Sequence, residues 1–199
     1  MPAAHPPDAE LYEIGKLGYT PRLLLHCCCA PCASSVLEYL SPFFDISCLF
    51  YNPNIRPKQE YDKRRAELIK LLSQAEYPNG VRLLESDYDP GVFDEAAAPY
   101  RDEPEGGLRC SLCFDLRLSQ TAKNAKESGF DYFTTTLSVS PLKNAAVLNE
   151  IGEAAALRFG VRYLQSDFKK RDGYKRSVVL AKQYGLYRQS YCGCKPRDD

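Results

Sequence analysis

The residues best suited to chemistry in this sequence are its cysteines, which number nine in 199 residues. Four lie within His26–Cys32, two lie within Cys110–Cys113, and two lie within Cys192–Cys194. Thiolates from separate cysteine clusters can bind zinc or an iron-sulfur cluster. Because the chain has only two histidines, ligation would be by cysteine, which is compatible with either metal centre. The Cys-Gly-Cys spacing of the last cluster also permits a small, strained disulfide of the labile, catalytic kind. The sequence therefore predicts a metal or redox centre.

A structural zinc site is the simplest interpretation of these clusters. Adjacent cysteines suit a single tetrahedral zinc poorly, and the chain has more cysteines than one zinc needs, which favours an iron-sulfur cluster or dithiol chemistry. Cys48 stands alone in an apolar run, so we expect it to be a packed core residue. His26 is either a proton donor or a hydrogen-bonded core histidine, and the residues alone leave both open.

The elements that must position these residues alternate along the chain. Apolar and β-branched runs predict strands at 22–26, 46–51, 81–84, 130–137 and 161–164. Helical periodicity and capping residues predict helices at 31–40, 57–75, 109–128, 145–159 and 173–184. This alternation predicts an α/β fold with a doubly wound, mostly parallel five-stranded sheet, a Rossmann-like or HUP-like three-layer sandwich. The cysteine-rich turn then lies at the carboxyl edge of the sheet, where such folds bind ligands.

Composition limits the domain organisation and the location of the protein. We expect an N-terminal extension over residues 1–20 and a single α/β domain over 21–199 that carries the cysteine site. The extension is polar and contains prolines, unlike a signal peptide, and no apolar run approaches ~18 residues. We therefore expect a cytoplasmic protein without a membrane partner, in which clustered cysteines are reduced thiols rather than structural disulfides.

A basic, tyrosine-containing segment follows the last predicted strand, although the net charge of the chain is zero. Residues 169–197 contain nine Lys or Arg against the single acid Asp172. This pattern suits phosphate contacts and base stacking, whereas a solvated helix face that balances the acidic 85–105 segment is the simpler alternative. If the segment follows an RNA, we expect phosphate contacts from five cations. These are Lys169, Lys170, Arg171, Lys175 and Arg176.

Five motifs together resemble the QueH type of epoxyqueuosine reductase. They are His26–Cys32, Tyr51–Ile55, Arg109–Phe114, Thr135–Lys143 and Gln189–Cys194. The resemblance extends from about Leu23 to Cys194, and the motifs are specific as a set. It implies a cobalamin-independent, iron-sulfur oxidoreductase that removes the epoxide oxygen of epoxyqueuosine at the wobble position of tRNA and gives queuosine.

The resemblance also implies roles for individual cysteines. Cys192 and Cys194 correspond to a redox-active pair. Cys32 also matches a motif position, one at which the resemblance suggests binding of an additional iron ion. The implied ligands of a 4Fe-4S cluster are Cys28, Cys29, Cys110 and Cys113.

A reductive deoxygenation also needs a proton donor, and our candidates in falling order of preference are Lys143, His26 and Asp115. The implied partners are tRNA carrying epoxyqueuosine and an external electron donor. Two alternatives come from other classes of protein: a zinc-stabilised RNA-binding module without catalysis, and a tRNA sulfur-transfer enzyme of related α/β fold, which would require ATP.

Overall fold

The computed structural model describes residues 8–194, and its strands form one sheet. They are β1 (Arg22–His26), β2 (Asp45–Leu49), β3 (Val81–Leu84), β4 (Tyr132–Thr135) and β5 (Arg162–Tyr163). All neighbours are parallel, in the order β3-β2-β1-β4-β5. The predicted doubly wound parallel sheet is therefore confirmed, with β1 at its centre.

Seven α-helices in the described residues connect and cover the strands. They are α1 (Asp8–Ile14), α2 (Ala30–Leu40), α3 (Lys58–Gln74), α4 (Pro90–Ala97), α5 (Leu108–Glu127), α6 (Ala145–Phe159) and α7 (Gly173–Gln183). The five predicted helices are confirmed to within a few residues, whereas α1 lies in the segment for which we predicted only an extension. Lys195 and Arg197 of the basic segment lie outside the described residues.

The sheet is covered on both faces because the side chains of β1 alternate in direction. Leu23 and Leu25 enter one apolar cluster with residues of α1, α2, α3 and α7, while Leu24 enters a second cluster with residues of α5 and α6. All three leucines are fully buried. Burial on both faces suits the continuous apolar run in this strand and confirms the three-layer sandwich.

The fourth strand is shorter than the predicted 130–137 segment. The hydroxyl of Thr135 accepts a hydrogen bond from the Leu137 amide at 3.2 Å, which starts a 3-10 turn over Thr136–Val139. At the other end, the Phe130 amide donates to the Ala125 carbonyl of α5 at 2.9 Å. Local side-chain and helix-end hydrogen bonds thus replace strand pairing at both ends.

Among the helices of residues 8–194, none combines the length and the apolar character of a membrane-spanning segment.

The sheet places two turns side by side at its carboxyl edge. The turn after β1 carries the first cysteine cluster, and the turn after β4 is the 3-10 turn Thr136–Val139. The Cys28 amide donates to Thr136 Oγ1 at 3.2 Å, so the two turns are directly joined. Because β1 connects to β2 on one side and pairs with β4 on the other, the chain changes direction here, which is where doubly wound sheets bind ligands.

Candidate active site

Three thiols from the β1–α2 turn converge at this edge. The Sγ atoms of Cys28, Cys29 and Cys32 all lie within 4.8 Å of one another, and the first two are 3.8 Å apart. Helix α2 begins just after Cys29 with Pro31 in its first turn, which turns Cys32 back toward the other two. The sequence places these cysteines in one turn, but their convergence depends on this helix start.

The three thiols differ in their pKa values. Hydrogen bonds from Cys29 and Cys32 lower the pKa of Cys28 well below its usual range, against the effect of burial, and the Thr136 hydroxyl adds a further hydrogen bond. The hydrogen bond with Cys28 raises the pKa of Cys29 to about 12, and hydrogen bonds with both neighbours raise that of Cys32. Metals bind thiolates, and soft sulfur donors suit zinc and iron-sulfur clusters. The three thiols can therefore hold a metal.

The second predicted ligand pair lies in the first turns of α5, and both sulfurs belong to buried residues. Cys110 is part of the apolar cluster against which Cys28 packs, and its Sγ accepts a hydrogen bond from the Gly106 amide at 3.2 Å. Cys113 packs in a smaller cluster with Phe93, next to Cys194. Within the described residues, the close thiol group contains Cys32 rather than either of these α5 cysteines.

The thiols of the β1–α2 turn line a cleft of about 250 Å³. Residues far apart in sequence complete its wall, among them Arg117 of α5, Lys143 and Cys192. The structure thus brings the first and last cysteine clusters to one cavity, which the sequence alone could not show.

Cys192 lies beside the preferred proton-donor candidate. Lys143 Nζ is 3.8 Å from Cys192 Sγ and 3.2 Å from a carboxylate oxygen of Glu105. A hydrogen bond with Cys194 lowers the pKa of Cys192 to about 5, and the charges of Lys143 and Arg117 act in the same direction against burial. The same hydrogen bond raises the pKa of Cys194. No disulfide joins Cys192 and Cys194 in this structure, and the lowered pKa of Cys192 favours its thiolate form.

Lys143 holds its proton in spite of burial. Its residue surface is 9% exposed, and burial alone would lower its pKa, but the Cys192 thiolate and Glu105 raise it above its ordinary value. Lys143 therefore remains a cation that lines the cleft.

Arg117 is a site residue that the sequence analysis missed. Its residue surface is 3% exposed, it lines the cleft, and its Nε donates to the Cys113 carbonyl at 3.1 Å. Burial would lower its pKa, but the sulfurs of Cys113, Cys192 and Cys28 raise it. Its spacing of four residues from Cys113 on one helix was the available signal, because residues i and i+4 share a face. Arg117 can compensate thiolate charge at the centre of the site.

The other two proton-donor candidates lie in different surroundings. His26 is fully buried; its Nδ1 is 2.9 Å from the Thr135 hydroxyl, and its Nε2 donates to the Tyr51 carbonyl at 3.0 Å. Burial and the Arg117 charge lower its pKa to about 4, so it is a neutral, hydrogen-bonded core histidine at neutral pH. Asp115 accepts from Ser119 at 3.0 Å on the partly exposed side of α5 and does not line the cleft. Of the three candidates, only Lys143 is among the residues that line the cleft.

The five cations predicted to contact RNA each have a carboxylate partner. The pairs are Lys169 and Lys170 with Asp167 (2.9 and 3.4 Å), Arg171 with Asp8 (3.0 Å), Lys175 with Asp172 (2.8 Å) and Arg176 with Glu38 (2.6 Å).

Arg188 differs from these five cations, since it is exposed, lines the cleft and has no ion pair within residues 8–194. Its guanidinium carbon is 5.7 Å from the ring centre of Tyr174, which also lines the cleft. The uncompensated charge and an aromatic ring thus lie at the cysteine site.

Residues 185–194, which we call the C-terminal segment, carry the Cys192 pair and lie along α3. Arg64 donates from Nη1 to the Cys192 carbonyl at 3.0 Å and from Nη2 to the Tyr191 carbonyl at 3.4 Å. Its Nε is 2.6 Å from a carboxylate oxygen of Glu60, and this ion pair is almost fully buried. Gly193 has φ +98°, and an added Cβ would lie 3.2 Å from Arg64 Nη2, so glycine is required at this close approach.

Further contacts with α3 hold the beginning of this segment. Lys70 Nζ donates to the Gly185 carbonyl at 2.7 Å, and the Tyr187 amide donates to a carboxylate oxygen of Glu67 at 2.8 Å. Lys63 Nζ lies 3.5 Å from the ring centre of Tyr187. One polar face of α3 therefore positions the segment that carries Cys192, a role that its amphipathic sequence did not reveal.

Comparison with known proteins identifies one family over most of the chain. The family model described as epoxyqueuosine reductase QueH matches residues 23–196. A protein of Streptococcus pyogenes with the same name is 46% identical over 188 residues, which cover 94% of this chain and 73% of that protein. Its namesake in Staphylococcus epidermidis is 44% identical over 181 residues (89% and 76%), and that in Thermotoga maritima 37% over 173 residues (86% and 88%).

Proposed function

Since the chain belongs to the QueH family of epoxyqueuosine reductases, we propose that it removes the epoxide oxygen of epoxyqueuosine at the wobble position of tRNA, giving queuosine. The chain is an oxidoreductase, and a modified tRNA is its substrate. The observation that carries the reaction is the cleft at the carboxyl edge of the sheet, which unites a thiol cluster, a second dithiol and a buried ammonium group.

The cofactor we propose is a 4Fe-4S cluster. The chemistry of the donor set fits: the sulfurs of Cys28 and Cys29 are 3.8 Å apart, the pKa of Cys28 is lowered, and the buried Arg117 offsets the charge of Cys113 and Cys28. When bound, such a cluster supplies electrons one at a time. Cys32 is the ligand we propose for an additional iron ion, because its sulfur lies in the close group. On the basis of the family motifs, we propose that the cluster ligands are Cys28, Cys29, Cys110 and Cys113.

The residues of the cleft supply protons and reducing equivalents. Loss of the epoxide oxygen gives an alkene and water and consumes two electrons and two protons. Lys143 can give the first proton to the oxygen as its carbon bond breaks, because its raised pKa keeps the ammonium group charged. Oxidation of the Cys192 thiolate and the Cys194 thiol to a disulfide releases two electrons and one proton, which together with the Lys143 proton gives the two protons consumed, and an external reductant restores the dithiol. The balance therefore closes within this cleft.

Anaerobic reconstitution followed by metal analysis and an activity assay tests this function. We expect about four iron and four sulfide per chain, broad absorbance near ~400 nm, and conversion of epoxyqueuosine to queuosine in an anticodon stem-loop supplied with a strong reductant. Stoichiometric zinc without sulfide and without conversion would instead support the RNA-binding module. Activity that depends on ATP would support the sulfur-transfer alternative.

Substitution of the C-terminal dithiol is expected to separate electron supply from cluster binding. Cys192→Ser or Cys194→Ser should keep the iron content but lose at least about 90% of multiple turnover with a thiol reductant, since neither variant can form the disulfide. Iron content and turnover with dithiothreitol are the measurements. Ser190→Ala in the same segment is the matched control and should retain turnover. If the serine variants lose iron, these cysteines are ligands and not a redox pair.

Contact with tRNA is proposed at two places. We keep the proposal that the five cations predicted from the sequence contact phosphates. To bind a phosphate, each of these cations must first separate from its carboxylate partner. Arg188 has no such partner in the described chain, and the neighbouring Tyr174 offers an exposed ring at the mouth of the cleft. An arginine with a stacking ring is a common way to hold a single-stranded nucleotide.

A further inference from the structure

The cleft contains acceptor groups that no protein donor uses. The Oδ1 atom of Asn54 and the Oε1 atom of Gln189 are buried without a hydrogen-bond partner within residues 8–194, and both residues line the cleft. Asn54 is 1% exposed, while Gln189 is partly buried. A buried carbonyl-type oxygen without a donor costs free energy, and such groups are rare in native proteins. Their presence in one cavity indicates a ligand that supplies the donors.

The surrounding contacts place these side chains beside the cysteine cluster. Asn52, two residues before Asn54, donates through Nδ2 to the Cys27 carbonyl at 2.9 Å, so its amide is used to hold the cysteine turn. The Oδ1 atoms of Asn52 and Asn54 both lack a partner within residues 8–194 and both residues lie on this wall, but the Asn52 side chain already serves the fold through Nδ2. Gln189 lies on the C-terminal segment and lines the same cleft as Cys29. The unpartnered acceptors thus lie on two chain segments and border the cysteine cluster.

We propose that Asn54 and Gln189 bind the modified base by accepting hydrogen bonds from the hydroxyl and amine groups of its substituent. This inference rests on the proposed function and deepens it, because it assigns the residues that distinguish the modified nucleotide from guanosine. A pocket that provides acceptors discriminates strongly against a ligand without the matching donors, since the acceptors then stay unpaired. Unmodified tRNA offers no donors at the position of the substituent, so the pocket rejects it.

Binding of two anticodon stem-loops, one with epoxyqueuosine and one with guanosine at the wobble position, tests this proposal. We expect the wild-type protein to prefer the modified RNA. Each of Asn54→Leu and Gln189→Met should reduce that preference by about 3- to 10-fold, the effect of one hydrogen bond, and the double variant by more. Arg188→Gln is the matched control and should weaken binding of both RNAs equally, because a phosphate contact does not read the base.

Thermal unfolding without RNA separates substrate recognition from a structural role. Because Asn54→Leu removes an unpaired buried acceptor, its Tm should be unchanged or higher, whereas Thr134→Val loses the buried hydrogen bond to the Leu164 carbonyl and should have a lower Tm. A lower Tm of Asn54→Leu with unchanged RNA preference would overturn the proposal, because the oxygen would then serve the fold. Should Asn54→Leu not fold, Gln189→Met alone decides: an unchanged preference overturns the proposal. A wild-type protein that prefers the modified RNA without converting it would refute the proposed function alone.

Discussion

Alanine in place of any one proposed cluster ligand is expected to lower bound iron from about four to below about one per chain and to reduce conversion at least ~100-fold. Each substitution removes one of the four proposed covalent thiolate ligands, which weakens binding of the cluster. The measurements are iron and sulfide content after anaerobic reconstitution and single-turnover conversion. The four positions are Cys28, Cys29, Cys110 and Cys113.

Two further cysteines make this experiment decisive. Cys48 is fully buried in β2 and belongs to the apolar core, so Cys48→Ala should lower stability somewhat and leave the iron content unchanged. Cys32 shares the close thiol group with Cys28 and Cys29. The proposed ligand set would be contradicted if Cys32→Ala lost the cluster while the Cys110 and Cys113 variants kept it. Cys32 would then be a ligand, and the two α5 cysteines would not.

The second large effect is expected at the buried ion pair of α3. Arg64→Ala should lower the free energy of unfolding by about 3 to 5 kcal/mol, because it leaves the buried Glu60 carboxylate without its partner. Chemical denaturation of the metal-free protein measures the loss. Lys58→Ala on the same helix is the matched control. Its pair with Asp62 has the same i,i+4 spacing but is exposed, so we expect a change of about 0.3 to 0.5 kcal/mol.

A double variant separates the stabilising role of this pair from its positioning role. Replacing Glu60 by Leu and Arg64 by Met together removes both charges and should restore most of the stability. Turnover with a thiol reductant should nevertheless stay low, because the carbonyls of Tyr191 and Cys192 lose their donor. Equal recovery of stability and turnover would show that Arg64 does not position the dithiol.

Local patterns were sufficient for the sheet and the location of the site. The apolar run ending at His26 and Pro31 at a helix start place the first cysteine cluster in a strand-to-helix turn, and the parallel sheet puts that turn at its carboxyl edge. Helix α1 was missed because its two core residues, Leu11 and Ile14, lie in a polar segment with prolines. Two apolar positions three residues apart are too weak a periodic signal for a helix.

The unpredicted features depend on pairs of residues that are distant in sequence. His26 is a buried core residue whose hydrogen-bond partner Thr135 lies 109 residues away. Arg64 meets the Cys192 carbonyl across 128 residues, and Arg171 meets Asp8 across 163. Since neither partner carries a local signal for the other, a single sequence cannot distinguish a cation that binds phosphate from one that a carboxylate already neutralises.

The contacts along α3 divide the cleft into parts of unequal local stability. The cysteine turn continues directly from the central strand, so displacing it requires the sheet to open. The C-terminal segment is anchored in the main apolar core by Leu186, and its other contacts with α3 are hydrogen bonds and a cation–ring contact. Segments held in this way detach in sub-global openings that leave the rest of the fold intact. Release of the C-terminal segment would therefore open one wall of the cleft while the cysteine turn stays folded.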